Sequence, residues 1–220
     1  MRKDFWFVIA LPLLCLAGSA AAQSDPAWTE PFPPHRVIGN VYYVGSKGLA
    51  SYLITSRQGH ILINSSLESS VPLIKDSVEK LGFHFSDIKI LLISHAHGDH
   101  CAGSARIKEM TGAKYFVMDA DVPVIESGGR ADFQYGASSN ALFPPTKVDR
   151  ALHDGDEVRL GDTVLIAHLT PGHTRRNDHL DHKSQRWRQV IRRGDCRQSK
   201  CESRIQAGRQ RAVSANCSGL

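Results

Sequence analysis

Apolar and polar positions divide the chain into short runs of two kinds. Val37-Ile38 and Val41 to Val44 read as strands joined at Gly39-Asn40. Tyr52 to Thr55 and His60 to Asn64 read as a hairpin turned at Arg57-Gln58-Gly59. A helical spacing of apolar residues follows Ser69-Ser70, runs from Val71-Pro72 to Leu81 and stops at Gly82. Ile88-Lys89-Ile90-Leu91-Leu92-Ile93 is nearly continuous in apolar character, as expected of a strand buried on both faces. Further on, a helix is expected from Gly103 to Thr111 closed by Gly112, a strand over Lys114 to Met118, and a short helix over Val122 to Ser127. Gly128 to Pro145 is rich in Gly, Ser, Asn and Pro and reads as a long loop. Val158 to Leu160 and Thr163 to His168 form a hairpin around Gly161-Asp162. Strands alternating with helices in this way predict a layered α/β domain.

Two ends of the chain break the pattern. Arg2 and Lys3 precede the apolar run Phe5 to Leu16, and small residues end at Ala20-Ala21-Ala22. Residues 1–22 therefore read as a cleaved signal peptide, which predicts a periplasmic or secreted protein. Residues 175–220 hold 12 Lys+Arg against 4 Asp+Glu, leaving 15 against 18 for everything before them. The formal net charge of +5 thus belongs to the tail alone. Such a basic, aperiodic segment cannot bury a core and is expected to be disordered. After the signal peptide four cysteines remain, Cys101, Cys196, Cys201 and Cys217, with no spacing that specifies a pairing.

The chemistry is concentrated in Ser94-His95-Ala96-His97-Gly98-Asp99-His100, directly behind the most apolar strand. Four side chains able to bind a metal leave one strand end within six residues, and on a loop they can converge. Imidazole nitrogen and carboxylate oxygen are ligands that zinc accepts at catalytic sites, where a position stays open for water. Cys101 follows as a small buried residue, and Ser65 and Ser66 sit where a strand end can support the loop. His60, His84, His153 and His168 lack any comparable setting and read as structural or solvated.

The H-x-H-x-D-H run after a hydrophobic strand resembles the signature of the metallo-β-lactamase fold. The resemblance extends from about residue 31 to residue 174. Val41-Tyr42-Tyr43-Val44-Gly45, Gly59-His60-Ile61-Leu62-Ile63-Asn64 and Leu169-Thr170-Pro171-Gly172-His173-Thr174 look most like subclass B3. It implies an αβ/βα sandwich with metals at the strand ends, over a domain of residues 23–174. It also implies a first zinc on His95, His97 and His173 and a second on Asp99 and His100, with Asp99 named as the catalytic residue. Zinc-activated water would open the amide of a β-lactam antibiotic, with no protein nucleophile and no other partner, in a monomer. Asn64 stands where the wider fold commonly has Asp. The substrate-binding residues are not specified.

After Thr174 the resemblance stops, and the glycine, Thr-x-Trp strand, Asn-Pro-Gly loop and last zinc-binding histidine of the family are missing. Degenerate codons for Arg176 to His182, read one base later, permit Gly-Thr-Thr-Thr-Trp-Thr-Thr. Those for Lys200 to Gln210 permit Asn-Val-Asn-Pro-Gly-Phe-Lys-Leu-Val-Asp-Asn in the same frame. The tail is accordingly expected to be a frameshift product, with the second half of the sandwich truncated or out of frame. His179 and His182 are then not ligands, and the basic tail signals neither nucleic acid nor a membrane. A half-buried core with open strand edges is expected to compromise folding and activity. Two other readings stay open: a thioesterase or lactonase of the same fold, and a non-catalytic, basic-tailed binding protein.

Overall fold

The structure, a computed structural model, describes residues 25–169 with their side chains and residues 170 and 177–182 as backbone. The expected signal peptide, His173 and most of the tail lie outside the described residues. Ten strands and four α-helices follow in order among the described residues: β1 (His35–Ile38), β2 (Val41–Tyr43), β3 (Tyr52–Ser56), β4 (Gly59–Ile63), α1 (Val71–Lys80), β5 (Ile88–Leu92), α2 (Gly98–Cys101), α3 (Ser104–Thr111), β6 (Lys114–Met118), α4 (Val122–Glu126), β7 (Arg150–Leu152), β8 (Glu157–Leu160), β9 (Thr163–Thr170) and β10 (Asn177–His182).

β1 to β7 make one sheet in sequential order, antiparallel from β1 to β4 and parallel from β4 to β7. The switch to parallel pairing follows from the connections. A short turn returns β3 to β4, whereas α1 carries the chain back so that β5 runs alongside β4. α1 forms because Val71, Ile74 and Val78 share one face, all three fully buried.

The period of two along the strands assigns the core. Leu53, Leu62 and Leu91 point to the layer of α1 and α3, where they meet Ile74, Val78 and Ile107. Ile54, Ile61, Ile63, Ile90 and Leu92 point the other way, onto Val158, Leu165 and Ala167 of the three-stranded sheet β10-β9-β8. Both faces of β4 and β5 are covered, which accounts for their lack of apolar-polar alternation. Each such Leu or Ile contributes about 1.5–3 kcal/mol by leaving water.

One expectation, that of a tail without order, is corrected. The helix expected from Gly103 to Thr111 is α3, which starts at Ser104 with Gly103 as its cap, and a separate turn of helix, α2, precedes it and carries Asp99 and His100. The tail expected to be disordered from residue 175 contains β10, antiparallel to β9 with Asn177 opposite Thr170 and His182 opposite Leu165. One edge of β9 is taken by β8, and the N–H and C=O groups of its other edge find partners in this segment. Under the second sheet Ile54, Ile61 and Leu92 are each at most 1% exposed. β7 was not expected; it pairs in parallel with β6.

Candidate metal centre

β5 delivers the H-x-H-x-D-H run at the end of the sheet between its two parallel neighbours. Beside it, the end of β4 turns sharply, and Asn64 and Ser66 both adopt the left-handed backbone, with φ of 64° and 58°. That turn clamps the run from below. The Ser94 N–H donates to Asn64 Oδ1 at 2.8 Å, and the Asn64 N–H donates to the Leu92 carbonyl at 2.8 Å. The N–H groups of Ser65 and Ser66 both donate to the His100 carbonyl, at 2.9 and 3.2 Å. Gly103 N–H closes the loop by donating to the Ser66 carbonyl at 3.0 Å, and the Ser65 and Ser104 hydroxyls bond to each other at 2.9 Å. Asn at position 64 supplies an acceptor as an Asp would, and tolerates the left-handed conformation.

On this support, one donor atom each from His95, Asp99 and His100 lies within 4.8 Å of the others. The His95 ring stands 3.9 Å from that of His100 and 4.9 Å from that of His97, centroid to centroid. Asp99 Oδ2 is 3.2 Å from His100 Nε2. The Ser94 hydroxyl lies 3.3 Å from His95 Nδ1 and 3.1 Å from His100 Nδ1. A hydroxyl between the two rings can bond to both Nδ1 atoms and so fixes how the rings are turned relative to each other.

The donor set fits zinc. Neutral imidazoles and a carboxylate are the ligands that zinc takes, and donors converging within 4.8 Å can serve one ion or two neighbouring ones. Cys101 is buried in the core behind the site; burial first, then the Asp99 and Asp121 carboxylates, push its thiol well above the usual range. It is therefore held neutral, and a thiol is a poor ligand beside these.

Over the cluster opens a cavity of about 390 Å³. His97 and Asp99 form its polar floor, with Trp28, Leu67, Leu142 and Phe143 as apolar walls. Two carboxylates that sequence reasoning did not single out border this region. Asp132 brings Oδ2 to 3.6 Å from His97 Nε2, and Asp121 accepts the Ala96 N–H while 97% hidden from solvent, its exposure being 3%. Desolvation first, and then the nearby Asp132 and Asp119, raise Asp121 to about 7 against the Ala96 hydrogen bond. Neither residue belongs to a periodic pattern that could have flagged it. The other histidines lie elsewhere: His60 packs against Phe83 with its pKa lowered mainly by burial, His84 is exposed, and His153 and His168 sit near Asp156 and Asp154.

The chain belongs to the metallo-beta-lactamase superfamily, whose sequence pattern matches residues 47–187. In three dimensions its likeness is to subclass B3 enzymes. It is 61% identical to the native FEZ-1 metallo-beta-lactamase from Legionella gormanii, over 69% of this chain and 58% of that one, with a TM-score of 0.68. It is 40% identical to LRA-12, a class B3 di-zinc metallo-beta-lactamase from an Alaskan soil metagenome, over 74% of this chain and 62% of that one, with a TM-score of 0.70. A hydroxyacylglutathione hydrolase from Cereibacter sphaeroides is 36% identical over 84 residues, which are 38% of this chain and 25% of that protein. The chain spans less than two thirds of the length of each of these relatives.

Proposed function

We propose that this chain derives from a zinc-dependent hydrolase that opens the amide bond of β-lactam antibiotics, exported as a monomer to the periplasm or medium. One observation carries the reading. Donor atoms of His95, Asp99 and His100 converge within 4.8 Å, and Asp99 together with the neighbouring His97 opens onto a cavity of about 390 Å³. His95 and His100 would hold metal through Nε2, with Asp99 between them, and His97 and His173 would complete the set. Zinc bound there supplies Lewis acidity and lowers the pKa of water to about 7. The chain's own residues do the rest. Ser94 holds two imidazoles at Nδ1, the Asn64 turn fixes the backbone that carries them, and Asp99 can take up the proton released by the attacking water. Trp28, Leu142 and Phe143 offer the reacting amide an apolar wall.

Residues 23–174 form the catalytic domain's first part in this reading, and the sequence after Thr174 is out of frame. The test compares the full chain with a version whose coding sequence is shifted by one base after Thr174. The shifted protein is expected to hydrolyse a chromogenic cephalosporin, to lose that activity to a chelator and to regain it with zinc. The chain as written is expected to be much weaker. No turnover by the shifted protein would sink the proposal. A thioesterase of the same fold is the second reading, favoured by the likeness to a hydroxyacylglutathione hydrolase. Turnover of a glutathione thioester but not of the cephalosporin would decide for it.

A further inference from the structure

We infer that Asp132 is a positioning residue for His97, so that the loop bearing it and the metal centre bind cooperatively; this rests on the zinc reading above. Residues 130 to 140 run mostly exposed over the mouth of the cavity. Asp132 departs from its surroundings: its side chain is only 6% exposed, while Ala131, Phe133 and Gln134 beside it face solvent. A carboxylate tucked under an exposed loop is costly unless both oxygens are engaged. Oδ1 accepts the N–H groups of Gln134 and Tyr135, at 2.9 and 2.6 Å, which folds the loop back on itself. Oδ2 faces His97 Nε2 at 3.6 Å, and the Tyr135 ring meets the same imidazole edge-on at 5.2 Å.

This arrangement decides which nitrogen His97 offers. A carboxylate opposite Nε2 favours the proton on Nε2, which leaves the Nδ1 lone pair for a metal. At His95 and His100 it is Nδ1 that has a polar neighbour of this kind, the Ser94 hydroxyl, so His97 is supported from the other side of its ring. Because Asp132 reaches His97 only when its loop is folded down, metal binding and loop docking favour each other by the same factor.

Asp132→Asn separates the two jobs of the carboxylate. The amide oxygen still accepts from Gln134 and Tyr135, whereas the charge opposite His97 is gone. Asp132→Ala removes both. Zinc dissociation constants of the full-length proteins, measured by competition with a chromophoric chelator, are expected to rise roughly 10- to 100-fold in Asp132→Asn and at least as far in Asp132→Ala. Zinc is also expected to slow tryptic cleavage after Arg130 in the wild type, and to do so less in Asp132→Asn. Zinc affinity in Asp132→Asn equal to wild type, with loss only in Asp132→Ala, would reduce Asp132 to a turn former and overturn the inference. Absence of zinc protection at Arg130 in the wild type would overturn it as well. A wild-type chain that binds no zinc at all removes the metal reading itself, a result distinct from either.

Discussion

Asn64 joins two requirements in one side chain. Its φ of 64° excludes most residues, and its Oδ1 holds the Ser94 N–H at the point where the strand gives way to the ligand run. Asn64→Asp keeps an acceptor and a tolerated backbone, and its unfolding free energy should stay within about 1 kcal/mol of wild type. Asn64→Ala loses the acceptor and strains the backbone, which should cost about 2–4 kcal/mol. Asn64→Gly relieves the strain alone and should fall between them. Urea midpoints of the three variants test the ranking, and an alanine variant as stable as wild type would refute it. At this scale the sequence was informative about the ligands and silent about their supports. His95, His97, Asp99 and His100 announce themselves by spacing, whereas Asp132 and Asp121 reach the site from loops and turns distant in sequence.

Among the elements, α2 is the one the sequence concealed. Four residues are too few to nucleate a helix from propensity alone. This one is held by the Ser65 and Ser66 N–H groups on the His100 carbonyl. Gly103, expected to open a helix, does so as the cap of α3 and also separates α3 from α2 at a point of close approach. A Cβ added there would lie 2.6 Å from the Ser65 carbonyl oxygen and 2.8 Å from Val71 Cγ2. Gly103→Ala should therefore push α2 away from the Asn64 turn, at about 1–3 kcal/mol. It should also weaken zinc binding, since His100 moves with the helix. A variant with wild-type zinc affinity and unfolding midpoint would count against this packing. The strands and α1 were legible because burial imposes their periods directly. Only β7 and β10 escaped, being strands defined by the neighbours whose edges they fill.

For the molecule as a whole, Asp121 makes stability depend on pH. Its carboxyl titrates near 3.8 when unfolded and at about 7 when folded, chiefly because burial disfavours the charge. The folded state therefore holds a proton that the unfolded state has released between about pH 4 and pH 7. This contribution to stability is fully present below about pH 4, falls as pH rises, and is gone above about pH 7. Its upper limit is about 4 kcal/mol, at about 1.4 kcal/mol for each pH unit. In metal-free protein, the stability gap between wild type and Asp121→Asn should narrow or reverse from pH 5 to pH 7.5. Using the gap rather than the wild type alone removes the contribution of every other titrating group. A gap independent of pH would show that Asp121 is ionised throughout. Oδ2 of Asp121 finds no hydrogen-bond partner among the described residues, consistent with a protonated carboxyl.

By itself the sequence determined the layered α/β class, the strands and helices of the first half, and the donors of the metal run. Burial sets the period of each element, and metal chemistry restricts which residue types can cluster behind a strand. Tertiary structure alone decided how those donors are aimed. Ser94 lies next to its histidine in sequence, but its hold on His100, the clamp from Asn64 to Ser66 and the approach of Asp132 to His97 are all contacts between segments that no local pattern encodes. The second sheet illustrates the same division: β9 is visible as a run of residues, but its partner β10 exists because an unpaired edge demands one.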